Sequence, residues 1–134
     1  MKVFFDENFS PHLSDGLNCF QCGTPKESIE VCHIAKFFYR GIPDDEWIPK
    51  VAQMHGVAIT QDHEIRRTQY LFQLCQDNHL GIFFFKPPKK TPYAYWNLVE
   101  WVMNNWSAIK GLSQTTTKPF AFRISPRGNP ELMR

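Results

Sequence analysis

Apolar and polar positions along this chain follow two rhythms. Lys2-Val3-Phe4-Phe5, Val57-Ala58-Ile59-Thr60 and Leu80-Gly81-Ile82-Phe83-Phe84-Phe85 are short, mostly apolar runs. Runs of that kind mark strands buried on both faces of a parallel sheet. Ile29, Val31 and Cys32 give residues 28–34 the same character, with His33 near the end as a rim histidine satisfied by backbone. Phe120-Ala121-Phe122-Arg123-Ile124 alternates and reads as a last strand at an edge.

Segments with helical spacing lie between the strands. Ser10-Pro11 is an N-cap followed by proline at the first helical position. Leu13, Leu17 and Phe20 form that helix's apolar stripe, and Gly23-Thr24-Pro25 ends it. Phe37 to Gly41 reads as a loop. Asp44 is placed to cap a second helix, with Trp47, Ile48, Val51, Ala52 and Met54 packed and Gly56 as its stop. Residues 63–77 form a third, with Ile65, Leu71, Leu74 and Cys75 inward. A fourth runs from near Pro92 to Ile109 on the stripe Leu98, Val99, Val102, Trp106 and Ile109, and Gly111 stops it. Trp96 and Trp101 fall off that stripe.

Strands alternating with helices predict an α/β sandwich with a mainly parallel central sheet. A length of 134 residues predicts one domain, residues 1–134, with a flexible polar tail over about 125–134. The formal net charge is only +2, so any nucleic-acid footprint must be a local cluster of basic residues. Lys2 is followed by three apolar residues before Asp6, which is not a signal peptide, and no apolar run approaches the ~18 residues of a membrane span. A cytoplasmic chain is expected. Its four cysteines, Cys19, Cys22, Cys32 and Cys75, then read as reduced thiols. A zinc site from Cys19, Cys22, Cys32 and His33 is conceivable, but Cys32 and His33 are neighbours on one strand and point to opposite faces.

The acids carry the chemistry. Asp6 follows the first strand, Asp44-Asp45-Glu46 opens a helix, and Asp62 follows the apolar run that ends in Thr60-Gln61. In open α/β sheets the ligand crevice lies just outside the carboxyl ends of the strands. Carboxylates gathered there suit Mg²⁺ or Mn²⁺, which keep several waters. Such ions activate water and offset the charge that builds on a phosphodiester under attack. The expected reaction is in-line hydrolysis of RNA, leaving a 5′-phosphate and a 3′-hydroxyl. Arg66 and Arg67 lie about a helical turn beyond Asp62, and Arg40 precedes the second acid group, so all three are placed to hold phosphates. Acids at a helix start also satisfy orphan N–H groups, and the arginines are equally read as solvated helix charges.

Met1 to Asn8, Gly41-Ile42-Pro43-Asp44-Asp45-Glu46-Trp47 and Ile59-Thr60-Gln61-Asp62 together resemble the compact PIN-like domains, which include the VapC-type ribonuclease toxins. The resemblance spans roughly residues 1–85. It implies a three-layer Rossmann-like sandwich and a metal-dependent endoribonuclease. It also implies a cognate antitoxin protein that blocks the site, and homodimers. Carried over, Asp6, Asp44 and Asp62 become metal ligands and Glu46 a further catalytic acid. Asn8 and Thr60 would orient carboxylates, and Glu64 holds the place of a second acid beyond Asp62. Larger PIN nucleases carry a fourth acid later in the chain, and none follows here with that placement. Two other classes compete: an inactive PIN-like scaffold that binds RNA or protein, and a phospho-receiver-like signalling domain with Lys86 as its phosphate-contacting lysine.

Overall fold

The computed structural model describes residues 1–134. Its sheet contains β1 (Lys2–Phe5), β2 (Glu30–His33), β3 (Val57–Gln61), β4 (Gly81–Phe85), β5 (Phe120–Ile124) and β6 (Glu131–Leu132). The order is β2-β1-β3-β4-β5-β6, parallel from β2 to β5, with β6 antiparallel to β5. Parallel neighbours require crossovers, and the helices supply them: α1 (Pro11–Gln21), α2 (Ile34–Phe37), α3 (Asp44–Gln53), α4 (Ile65–Asp77) and α5 (Ala94–Thr115).

The two-residue period of the strands divides the core in two. Val3, Phe5, Val57, Ile59, Phe83 and Phe85 point to one face, where α1 and α5 cover them with Leu13, Leu17, Leu98, Val102, Trp106 and Ile109. Phe4, Ala58, Ile82 and Phe84 point to the other face, against Trp47, Ile48 and Val51 of α3 and Leu71 and Cys75 of α4. The result is the expected three-layer α/β sandwich. Each fully buried Phe contributes roughly 1.5–3 kcal/mol, which is why apolar runs with no polar break are tolerated in these strands.

Several boundaries differ from the expectation. The buried stripe of α1 continues from Leu17 to Gln21, while Phe20 is 71% exposed. Gln21 takes the core position because its Oε1 accepts a hydrogen bond from Trp106 Nε1 at 2.9 Å. Ile65 lies in the first turn of α4, before the helix reaches the sheet, and is 77% exposed rather than inward. Gly111 does not stop α5, which continues to Thr115 and packs Leu112 against the core. A mid-helix glycine costs only ~1 kcal/mol, which that packing offsets. The loop expected from Phe37 begins one residue later, after a short α2 that His33 Nδ1 starts by accepting from the Ala35 N–H. The other ring nitrogen of His33 donates to the Phe9 carbonyl at 2.9 Å, so backbone satisfies this histidine on both sides. The polar tail adds β6, so β5 is not an edge. No helix is long and apolar enough to cross a membrane.

β1 leads into α1 and β2 on one side and pairs with β3 on the other. The strand order therefore reverses between β1 and β3. Ligands of doubly wound sheets bind beside the carboxyl ends of strands at such a switch point. Asp6 is the first residue past β1.

Candidate active site

Asp6 is only 2% exposed, and its carboxylate is built into the end of the sheet. Its own N–H donates to the Ile59 carbonyl of β3, which fixes the backbone. Oδ1 accepts from the Asn8 N–H at 3.0 Å. Oδ2 accepts from Asn8 Nδ2 at 3.3 Å and from the Thr60 hydroxyl. Gln61 Nε2 in turn holds the Asn8 carbonyl at 2.7 Å. Thr60 and Asn8 thus orient this carboxylate. Burial pushes the Asp6 carboxyl up to about 6, and nearby Asp44 adds to that, against the pull of Thr60, Asn8 and Arg67.

Asp44 reaches the same place from the first turn of α3. The indole N–H of Trp47 donates to its Oδ1 at 3.0 Å and locks the side chain one turn from its own backbone. Arg67, on α4, lies between the two acids. Its Nη1 is 2.6 Å from Asp44 Oδ2, and its Nη2 is 3.4 Å from Asp6 Oδ2. Asp6, Asp44, Trp47, Arg67 and Glu7 line a notch of about 210 Å³. Glu7 accepts the Gly41 N–H at 2.7 Å and ties the loop before α3 to this wall. Gly41 adopts φ +79°, a conformation that favours glycine.

The remaining predicted residues lie elsewhere. Asp62 is also at the carboxyl edge, but it turns toward β5: Oδ1 accepts from the Thr68 hydroxyl at 2.5 Å, and Oδ2 pairs with Arg123 Nε at 2.9 Å. It lines a separate cleft with Ile65, Phe72 and Arg123. The expected convergence of three carboxylates is therefore not present: the structure joins Asp6 with Asp44 and holds Asp62 apart. Glu46 binds the Tyr39 hydroxyl and Lys50 on the exposed face of α3, and Tyr39 holds its carboxyl below the usual range. Glu64 and Arg66 are exposed at the start of α4, and Arg40 is exposed in the turn before α3. Of the three arginines expected to meet phosphate, Arg67 is the one at the notch, and there it is engaged by carboxylates.

Residues 1–87 match the family described as PIN-like domains. The chain belongs to this family. No curated protein and no solved structure matches it. The PIN-like match contains the whole notch, from Asp6 to Arg67, and ends just after β4. A PIN-like domain is a nuclease-type fold, and the position of Asp6 at the switch point accords with that.

No group of three or more His, Cys, Asp or Glu side chains in this PIN-like domain could hold a metal ion by itself. The donor chemistry of the notch nevertheless fits a hard divalent cation. Mg²⁺ commonly takes one or two carboxylates and completes its shell with water and substrate oxygens. Asp6 and Asp44 provide two such carboxylates, side by side and partly neutralised by a guanidinium. Glu7, Trp47 and Gln61 support the notch. All three lie within the stretches that resemble PIN-like domains, and Trp47 was expected on the packed face of its helix, but none was expected at the site.

Proposed function

We propose that this PIN-like domain is a metal-dependent endoribonuclease whose working acids are Asp6 and Asp44. The observation that carries this reading is the meeting of two carboxylates, one buried, from separate elements at the β1/β3 switch point. Mg²⁺ or Mn²⁺ would be held by these two residues, and when bound would activate water and offset charge on the phosphodiester. Thr60 and Asn8 hold Asp6 in one rotamer, and Trp47 does the same for Asp44. Arg67 balances the pair in the free protein. Its side chain is about one-third exposed, so it has room to turn toward a substrate phosphate. Asp62 is not at the notch and instead fixes Arg123 and Thr68 in the separate cleft. In this reading Glu46 is a surface acid, outside the chemistry.

In the cell, the reading extends to a toxin of a toxin–antitoxin pair, restrained by a protein that covers the notch. That extension rests on the resemblance to VapC-type ribonucleases. One observation favours a second reading, an inactive scaffold: Arg67 already occupies the space between the acids. Incubation of the purified chain with labelled RNA, with Mn²⁺ or with chelator, decides between them. Cleavage should require the ion, vanish in Asp6→Asn and Asp44→Asn, and fall by about 10–100-fold in Thr60→Val. Cleavage unchanged in Asp6→Asn would overturn the nuclease, and the absence of any ion-dependent cleavage would favour the scaffold.

A further inference from the structure

A second cleft opens on the same edge of the sheet, where the stretch shared with the PIN-like family ends: Lys86 and Pro87 lie within that stretch and the other lining residues follow it. It has a volume of about 790 Å³ and lies where β4 runs into Lys86 and β5 runs into Ser125. Lys86, Lys89 and Arg127 line it, with Thr91, Asn97 and Trp101, and no carboxylate does. None of its three cations has an ion-pair partner, whereas Arg67 and Arg123 on the same edge are both paired. Lys90 is exposed beside them and is likewise unpaired. In a chain with a net charge of only +2, this is a concentrated, unbalanced positive site.

The walls are held in place. The Lys86 N–H donates to the Ile124 carbonyl at 3.0 Å, so the segments that follow β4 and β5 leave the sheet side by side. Pro87 and Pro88 restrict the backbone that carries the lysines. Trp101 is half-buried, with one side packed against the core beneath α5 and the remainder in the cleft. A fixed indole among unpaired cations is the combination that single-stranded nucleic acid uses: phosphates meet the cations and a base stacks on the ring. An acidic protein would satisfy the charges, but only a nucleotide chain carries a planar base beside every phosphate, to meet the cations and the indole together.

Position links this cleft to the notch. β4 lies two strands from β1 and β5 lies three, which at ~4.8 Å per strand is roughly 10–14 Å along one edge. We propose that the cleft formed by Lys86, Lys89, Arg127 and Trp101 is the binding track for the single-stranded RNA that the Asp6–Asp44 notch cleaves. The proposal rests on the nuclease reading for its purpose, but its binding claim is separable.

The test uses the full chain carrying Asp6→Asn, so that cleavage does not interfere, and a short fluorescently labelled single-stranded RNA of mixed sequence. Fluorescence anisotropy across a salt series should show Lys86→Ala/Lys89→Ala/Arg127→Ala weakening binding at least about tenfold. The slope of log affinity against log salt should become shallower by about 2, since each single-strand phosphate contact contributes ~0.7. Trp101→Leu should weaken binding by about tenfold with little change in slope, as a lost stack does. Lys26→Ala, at the opposite edge, should change neither quantity. Circular dichroism confirms that each variant is folded. Affinity and slope equal to those of the parent in the folded triple variant would overturn the track, as would equal binding of duplex RNA with no effect of Trp101→Leu. RNA cleavage by the wild-type chain with no cleft-dependent binding would sink the track and leave the nuclease. Cleft-dependent binding without cleavage would do the reverse.

Discussion

Asp6 is a carboxylate that the fold holds at a cost. The folded carboxyl titrates near 6, whereas an unfolded aspartate titrates near ~3.9. Between those values the folded chain binds the extra proton, so stability falls as pH rises through the window and levels off above it. Taken in full, the difference amounts to about 3 kcal/mol. Asp6→Asn should therefore raise stability at neutral pH by about 1–2 kcal/mol, less than the full amount because Asn accepts fewer hydrogen bonds. It should also flatten the pH dependence between about 4 and 6. Urea denaturation at several pH values measures both, and an unchanged slope would mean that another group titrates there. At this scale the sequence was partly legible. Asp6 could be read because its significance lies in its place after an apolar run. Arg67 was read as a phosphate ligand because its partner Asp6 is 61 positions away, and only the folded crossing of α4 brings them together. The same distance hid the Asp62–Arg123 pair, which draws Asp62 away from the other acids.

Among the elements, strands were more legible than helix ends. A buried parallel strand announces itself by an apolar run, whereas a helix end depends on what its last turn touches. α5 passes Gly111 because Leu112 finds the core, and α1 turns Phe20 outward because Gln21 finds Trp106. The pairing of β4 with β5 has its own steric requirement. Gly81 faces Phe120 across the ladder, and a Cβ on Gly81 would stand 2.2 Å from the Phe120 ring. That ring packs against Phe83 and Phe122, so it has little room to retreat. Gly81→Ala should destabilise the protein by about 1–3 kcal/mol, the usual range for overpacking a tight core. A thermal melt would show it, and Gly81→Ala/Phe120→Leu should recover part of the loss.

For the whole molecule, the family match and the physical unit differ in extent. Residues 1–87 contain β1 to β4 and the complete notch. They lack α5 and β5, which supply Leu98, Val102, Trp106, Ile109, Phe120, Phe122 and Ile124 to one of the two cores. Removing them would leave α1 alone over the face carrying Val3, Phe5, Val57, Ile59, Phe83 and Phe85, and would bare the apolar part that α5 covers. A fragment ending at residue 87 should show no cooperative thermal transition and should aggregate, while the full chain melts in one step. A soluble, cooperatively folding fragment would show that α5 is an accessory. The layered architecture was legible because alternation of strand and helix admits few arrangements. The exact composition of the site was not, since it depends on which edge residues turn toward one another.

The interior place of β1 has a consequence for synthesis on the ribosome. β1 emerges before either of its flanking strands, one from residues 30–33 and the other from residues 57–61. Thr60, which steadies the acid behind β1, leaves the tunnel with the second of these, Arg67 follows it, and the covering helix comes after them. A nascent chain consequently carries its acids long before it can arrange them, and whatever chemistry they perform is withheld until the later strands and α5 have followed.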